Sequence, residues 1–188
     1  MAELTTDNLE EWAVALATEL LGDQGRRWTH DVAVIARARQ ISDVLGEDGE
    51  LLVAAAALHD TGCSPRVRRS RLEPLDAGWY LRDRGAPRRL VDLVANLDCA
   101  QVEAQLRGLD SLLAEFPDEG GPVRDALWYL CLTVGPDGDT TTLAEREAEL
   151  TVRYAHDPII LGWYERAKPE LVGAIERTEA LLAERGVK

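Results

Sequence analysis

The spacing of apolar positions makes almost the whole chain helical. Leu9, Trp12, Ala13 and Leu16 recur at intervals of three and four, the buried face of a first helix that ends near Leu21, with Thr6 or Asp7 as its cap. Gly22 and Gly25 interrupt the pattern, and Val32, Ile35, Ala36 and Ala38 carry a second helix over about 28–45. A turn at 46–49 leads to 51–58, apolar on every side and built of Leu, Val and Ala, small enough for close helix packing. Pro74 opens a helix that Gly85 closes, and Pro87 opens another that runs to about Arg107. Residues 123–134 form a further buried helix, stopped by Gly135, Pro136, Asp137 and Gly138. Thr142 followed by Glu145 is a capping-box signature for a helix through about Tyr154. The pattern over 159–184 is helical again, with a break predicted at Pro169, because proline removes a hydrogen bond from a helix interior. No stretch alternates like a strand and none repeats at a fixed period. The expectation is one all-α domain, a helical bundle with its core over about 26–155 and a C-terminal helical extension over about 156–188.

Composition narrows the partners more than the fold. At 188 residues, 46% hydrophobic and 29% charged, the chain suits a single soluble domain with a sizeable core. Its formal net charge of −13 opposes nucleic-acid backbones and anionic membranes as partners. The acidic start lacks the basic-then-apolar order of a signal peptide, and no apolar run approaches the roughly 20 residues of a membrane span. Three cysteines cannot all pair within the chain, so a reducing cytoplasm is expected. One basic stretch, Arg66 to Arg71, stands out: either a solvated loop balancing nearby acids, or a rim that attracts phosphate.

The candidate chemistry sits where the apolar helix runs out, in LLVAAAALHDTGCSP over 51–65. Gly62 there suits a left-handed cap. Neighbours on a helix point about 100° apart, but at a helix end His59 and Asp60 can both turn towards one point. The chain has only three histidines: His30 near the start of the second helix, His59, and His156 in a turn. Metal sites in helical proteins are assembled from side chains of different helices facing one interior point.

A His on one helix, a His-Asp pair ending the next and a later carboxylate is an order that resembles the HD-domain superfamily, whose best-known members are metal-dependent phosphohydrolases. The resemblance is carried by RRWTH ending at His30 and by AAAALHDTGCSP with His59 and Asp60. EPLDAGWYLRDRGAPRRLVDLVANLDCA and DALWYLCLTVGPDG are similar to the corresponding parts of small bacterial HD proteins. The resemblance implies a divalent metal (Mn, Zn, Ni, Fe or Mg) held by His30, His59, Asp60 and a later Asp, at whose position stands Cys131. Thiolate favours softer ions such as zinc. If Cys131 does not ligate, three protein ligands remain, and its alternative role is that of a small buried hydrophobe. Positions that carry auxiliary histidines in related proteins read Glu73 and Asn96-Leu97 here, so the site is partly degenerate.

Two functions remain open. In the first the chain is an enzyme that hydrolyses a small phosphoester or nucleotide. Glu73 or Asp76 is then the general base, and Arg27, Arg68 and Arg69 bind the anionic substrate. In the second it is a non-catalytic binding or scaffold protein on the same fold, with metal ligation incomplete or absent. Oxidative cleavage at a two-iron site needs more histidines than the chain offers. The oligomeric state is left open.

Overall fold

The structure, a computed structural model, describes residues 8–187. Thr6 and Asp7, the expected caps, lie outside those residues. Helix α1 runs over Leu9–Leu21, α2 over Arg26–Ile41, α3 over Gly49–Leu58 and α4 over Glu73–Asp83. They are followed by α5 (Arg88–Ala95), α6 (Ala100–Arg107), the short α7 (Asp110–Leu113), α8 (Gly121–Thr133), α9 (Leu143–Arg153) and α10 (Pro158–Glu184). The described residues contain no β-strand, only an isolated bridge between Val134 and Thr140. The all-α reading holds. No helix is long and apolar enough to cross a membrane.

Helix α3 is the axis of the bundle. Every residue from Leu52 to Leu58 is buried, with α1, α2, α5 and α8 packed around it. Four consecutive alanines, Ala54 to Ala57, offer those neighbours only methyl groups, so four helices can approach at once. A core this dense tolerates little added volume. The close packing fixes where α3 ends, and so where His59 and Asp60 stand.

Two boundaries depart from the apolar pattern. The helix expected from Pro87 to about Arg107 is broken between α5 and α6. Asn96 ends α5 by donating its side-chain amide to the carbonyls of Asp92 and Phe116, both at 2.9 Å. Asp98 and Cys99 then turn left-handed, with φ of 47° and 57°. Asp tolerates that region better than most residues. Conversely, the break expected at Pro169 is absent, and α10 runs straight through it. The buried positions Tyr164, Ala167, Leu171, Ala174, Thr178 and Leu182 keep one face in phase across the proline. That face packs on α8 and α6. Arg124 of α8, stacked 4.1 Å over Trp128, donates to Glu170, while Arg177 donates to Asp125 and Glu170. This packing offsets the roughly 3 kcal/mol that an interior proline costs.

Gly62 is required for a different reason than its expected left-handed φ. A Cβ there would lie 1.9 Å from the Glu73 carbonyl oxygen, so α4 begins pressed against the backbone that follows the His-Asp pair. Gly62→Ala is therefore expected to destabilise the fold by about 1–3 kcal/mol. Gly162→Ala in α10 is the contrast: its Cβ would meet Leu106 at an ordinary 3.7 Å, so it should stabilise by about 0.5–1 kcal/mol. Urea unfolding midpoints read both, and equal effects would contradict the packing described.

Candidate metal centre

Two imidazoles from different helices are oriented by the same device. His59 Nδ1 donates to the Ala56 carbonyl at 2.8 Å, one turn back in α3. His30 Nδ1 donates to the Gly135 carbonyl at 3.2 Å, in the loop after α8. A carbonyl only accepts, so each ring carries a proton on Nδ1 and leaves Nε2 for a ligand. The rings stand edge to face, centroids 5.4 Å apart. Asp60, just past the helical turn at φ −98° and ψ 5°, brings Oδ1 to 3.6 Å from His59 Nε2. Its Oδ2 accepts from Arg27 at 2.9 Å.

Asp31 completes a group that the sequence reading left out. Its carboxylate is fully buried, Oδ1 lies 3.8 Å from His59 Nε2, and neither oxygen accepts a hydrogen bond. One donor atom each from His30, Asp31 and His59 lie within 4.8 Å of one another. A signal was present: Asp31 precedes Val34, Ile35 and Ala38 at helical spacing, an acid on the buried face of α2. Asp98, also unforeseen, faces the same cavity with Oδ1 buried and without a hydrogen-bond partner. Only the left-handed break between α5 and α6 puts it there, and the Trp163 indole N–H pins that break by donating to the Asp98 carbonyl at 2.9 Å.

The electrostatics show what the cluster lacks. Burial pushes the Asp98 carboxyl up to about 7 despite the pull of His59 and Arg146, and raises Asp31 as well. Burial and the neighbouring His59 lower His30 to about 4, which keeps it neutral and able to ligate. Burial alone would lower His59, but the Asp60 and Asp31 carboxylates raise it. Burial would raise Asp60, but His59 and Arg27 hold it low. Two imidazole nitrogens beside the buried, unpartnered carboxylate of Asp31 fit a divalent cation, and mixed nitrogen and oxygen donors suit ions such as Mn²⁺, Ni²⁺, Fe²⁺ and Zn²⁺.

The expected site residues separate into those that share the cavity and those that do not. His30, His59, Asp60, Cys131, Glu73 and Arg27 all line one cavity of about 440 Å³. Cys131 stands at its wall as a buried thiol held protonated by burial and by Asp98, outside the close group in which Asp31 stands. Arg27 is committed: its Nη1 reaches both Asp60 and the Cys63 sulfur, so it holds the Asp60 carboxylate in place. Asp76 corrects the expectation of a general base. It is fully buried off the cavity and accepts from the Arg69 amide at 2.7 Å and the Ser70 hydroxyl at 2.7 Å, which holds the basic loop in place. Arg68 and Arg69 do not line the cavity either. Arg68 spans from the Cys63 carbonyl to Glu73, both at 3.3 Å.

Residues 27–100 match the family model of the HD domain. That stretch contains His30, Asp31, His59, Asp60 and Asp98, but neither Cys131 nor the wall of the cavity beyond it. No curated protein and no solved structure matches the chain.

The pKa shifts set a pH dependence for the metal-free protein. Asp31, Asp98 and His59 all have raised folded values, so each holds a proton after the unfolded chain has released it. Stability from such groups is lost as pH rises through the folded value. His30 acts oppositely, but only between about 4 and 6.5, so the window above pH 6.5 is free of it. In chelator the melting temperature should fall between pH 6.5 and 8, and Mn²⁺ should restore it. Asp31→Asn should raise the melting temperature in chelator at pH 8 and remove most of the Mn²⁺ effect. A melting temperature that ignores both pH and metal would contradict the cluster as a cation site.

Proposed function

From the HD domain that the chain carries over residues 27–100, we propose that it is a metal-dependent phosphohydrolase acting on a small phosphoester or nucleotide. The observation that carries this reading is the buried Asp31 carboxylate, unpartnered at both oxygens beside two imidazoles whose Nε2 atoms are left free, with the buried and unpartnered Oδ1 of Asp98 on the wall of the same cavity. The second reading, a scaffold that has lost ligation, drew its support from Cys131 standing where a carboxylate was expected and from the auxiliary histidines replaced at Glu73 and Asn96-Leu97. Asp31 and Asp98 supply carboxylates from other positions, which favours the enzyme.

His30, Asp31, His59 and Asp60 would hold the cation, with Asp98 facing it across the cavity. A bound divalent ion supplies Lewis acidity towards a phosphoryl oxygen and towards water. The protein's own groups do the rest. The Ala56 and Gly135 carbonyls keep the imidazoles in the ligating tautomer, and Arg27 holds Asp60 in place. Glu73 lines the cavity beside Arg68, which supports its reading as the group that would take a proton from water. The cavity lining sets five acids, Asp60, Glu73, Asp98, Glu103 and Glu149, against Arg26, Arg27, Arg146 and Arg153, so a bound divalent cation would tip its balance towards an anionic phosphoester.

Phosphate release from a panel of nucleotides and sugar phosphates, with Mn²⁺, Zn²⁺, Ni²⁺ and chelator, tests the reading. Activity should require metal, vanish in His59→Ala, and drop by roughly 100-fold or more in Glu73→Gln, the range of a lost general base. A folded, metal-loaded protein silent across the panel would favour the scaffold.

A further inference from the structure

The wall of the cavity contributed by α9 and α10 lies outside the residues that match the family model, and carries a charge that the metal centre alone does not explain. Arg146 of α9 lines the cavity together with His30, His59 and Asp98. Its Nε is buried and makes no hydrogen bond, while Nη1 donates to Glu149 at 3.1 Å. The other arginines there are engaged or peripheral: Arg26 pairs with Asp137, Arg27 with Asp60, and Arg153 is 58% exposed at the rim.

A guanidinium held beside a cation site is repelled by the cation unless an anion lies between them. Arginine meets phosphoryl oxygens in a planar, bidentate fork. The surface beside Arg146 is of another kind: Leu150 and Tyr154 from the end of α9, and Ile160 and Trp163 from α10. The indole N–H of Trp163 is spent on the Asp98 carbonyl, so what it offers a ligand is ring surface.

We propose that Arg146 binds a phosphoryl oxygen of an organic phosphoester whose apolar or aromatic body lies against Leu150, Tyr154, Ile160 and Trp163. This rests on the phosphohydrolase reading and names the residue and the wall that select its substrate. The basic loop at Arg68 and Arg69 has no part in binding.

Calorimetric titration of the Mn²⁺-loaded full chain with inorganic phosphate and with phenylphosphonate tests it. Both should bind the wild type, phenylphosphonate more tightly. Arg146→Ala should weaken both by about tenfold or more, the range of a lost charge-assisted hydrogen bond, and Arg146→Lys by less. Mn²⁺ affinity in Arg146→Ala should stay unchanged or tighten, since a repelling charge has gone. A merely structural Arg146 would lose the metal instead. Tyr154→Ala should remove the preference for phenylphosphonate and spare phosphate. Wild-type binding that survives Arg146→Ala, or that is lost in Arg68→Ala or Arg69→Ala instead, overturns the assignment alone. A Mn²⁺-loaded wild type that binds neither anion overturns the phosphohydrolase reading with it.

Discussion

A carboxylate with no exposure and no hydrogen bond to either oxygen is among the costliest groups a fold can bury, unless it gives up its charge or meets a cation. Asp31 is such a group, and much of the architecture is arranged about it. It sits on the inward face of α2, where an apolar residue would pack better against α3. Without a cation it moves towards the neutral form, as does Asp98 across the cavity. Stability is given up locally to keep a set of donors in place, and the dense core around α3 makes that tolerable.

Rigidity of the imidazoles comes from the backbone. His59 leans on its own helix through Ala56, whereas His30 depends on a loop 105 positions away in sequence, where Gly135 presents its carbonyl. That loop is held in turn. A Cβ on Gly135 would meet the Asp139 carboxylate at 2.3 Å, and Arg26 pairs with Asp137 across it. The segment between α8 and α9 thus supports a ring on α2 and also launches the helix that bears Arg146. Trp163 performs a similar service for Asp98 from α10. The helices beyond the family match therefore hold parts of the centre that lie within it.

Much of this was readable from the chain alone, because it depends on local physics. Apolar spacing set the helices, the Thr142–Glu145 capping box opened α9 as expected, and Gly85 took the left-handed turn after α4. The His-Asp pair at the end of an all-apolar helix and His30 on the helix before it drew attention by their residue types. Tertiary contacts decided the rest. Asn96 broke one helix by reaching the Phe116 carbonyl, 20 residues away, and so delivered Asp98. Pro169 failed to break another because the buried face of α10 packs in phase on both sides of it. Asp76 and Glu73, three residues apart on α4, looked alike as acids, yet one is spent on the Ser70 loop and the other opens to the cavity. Spacing along one helix says which side chains share a face; what a carboxylate finds there depends on residues far away in sequence, so only the assembled fold separates an acid open to the cavity from one that anchors a loop.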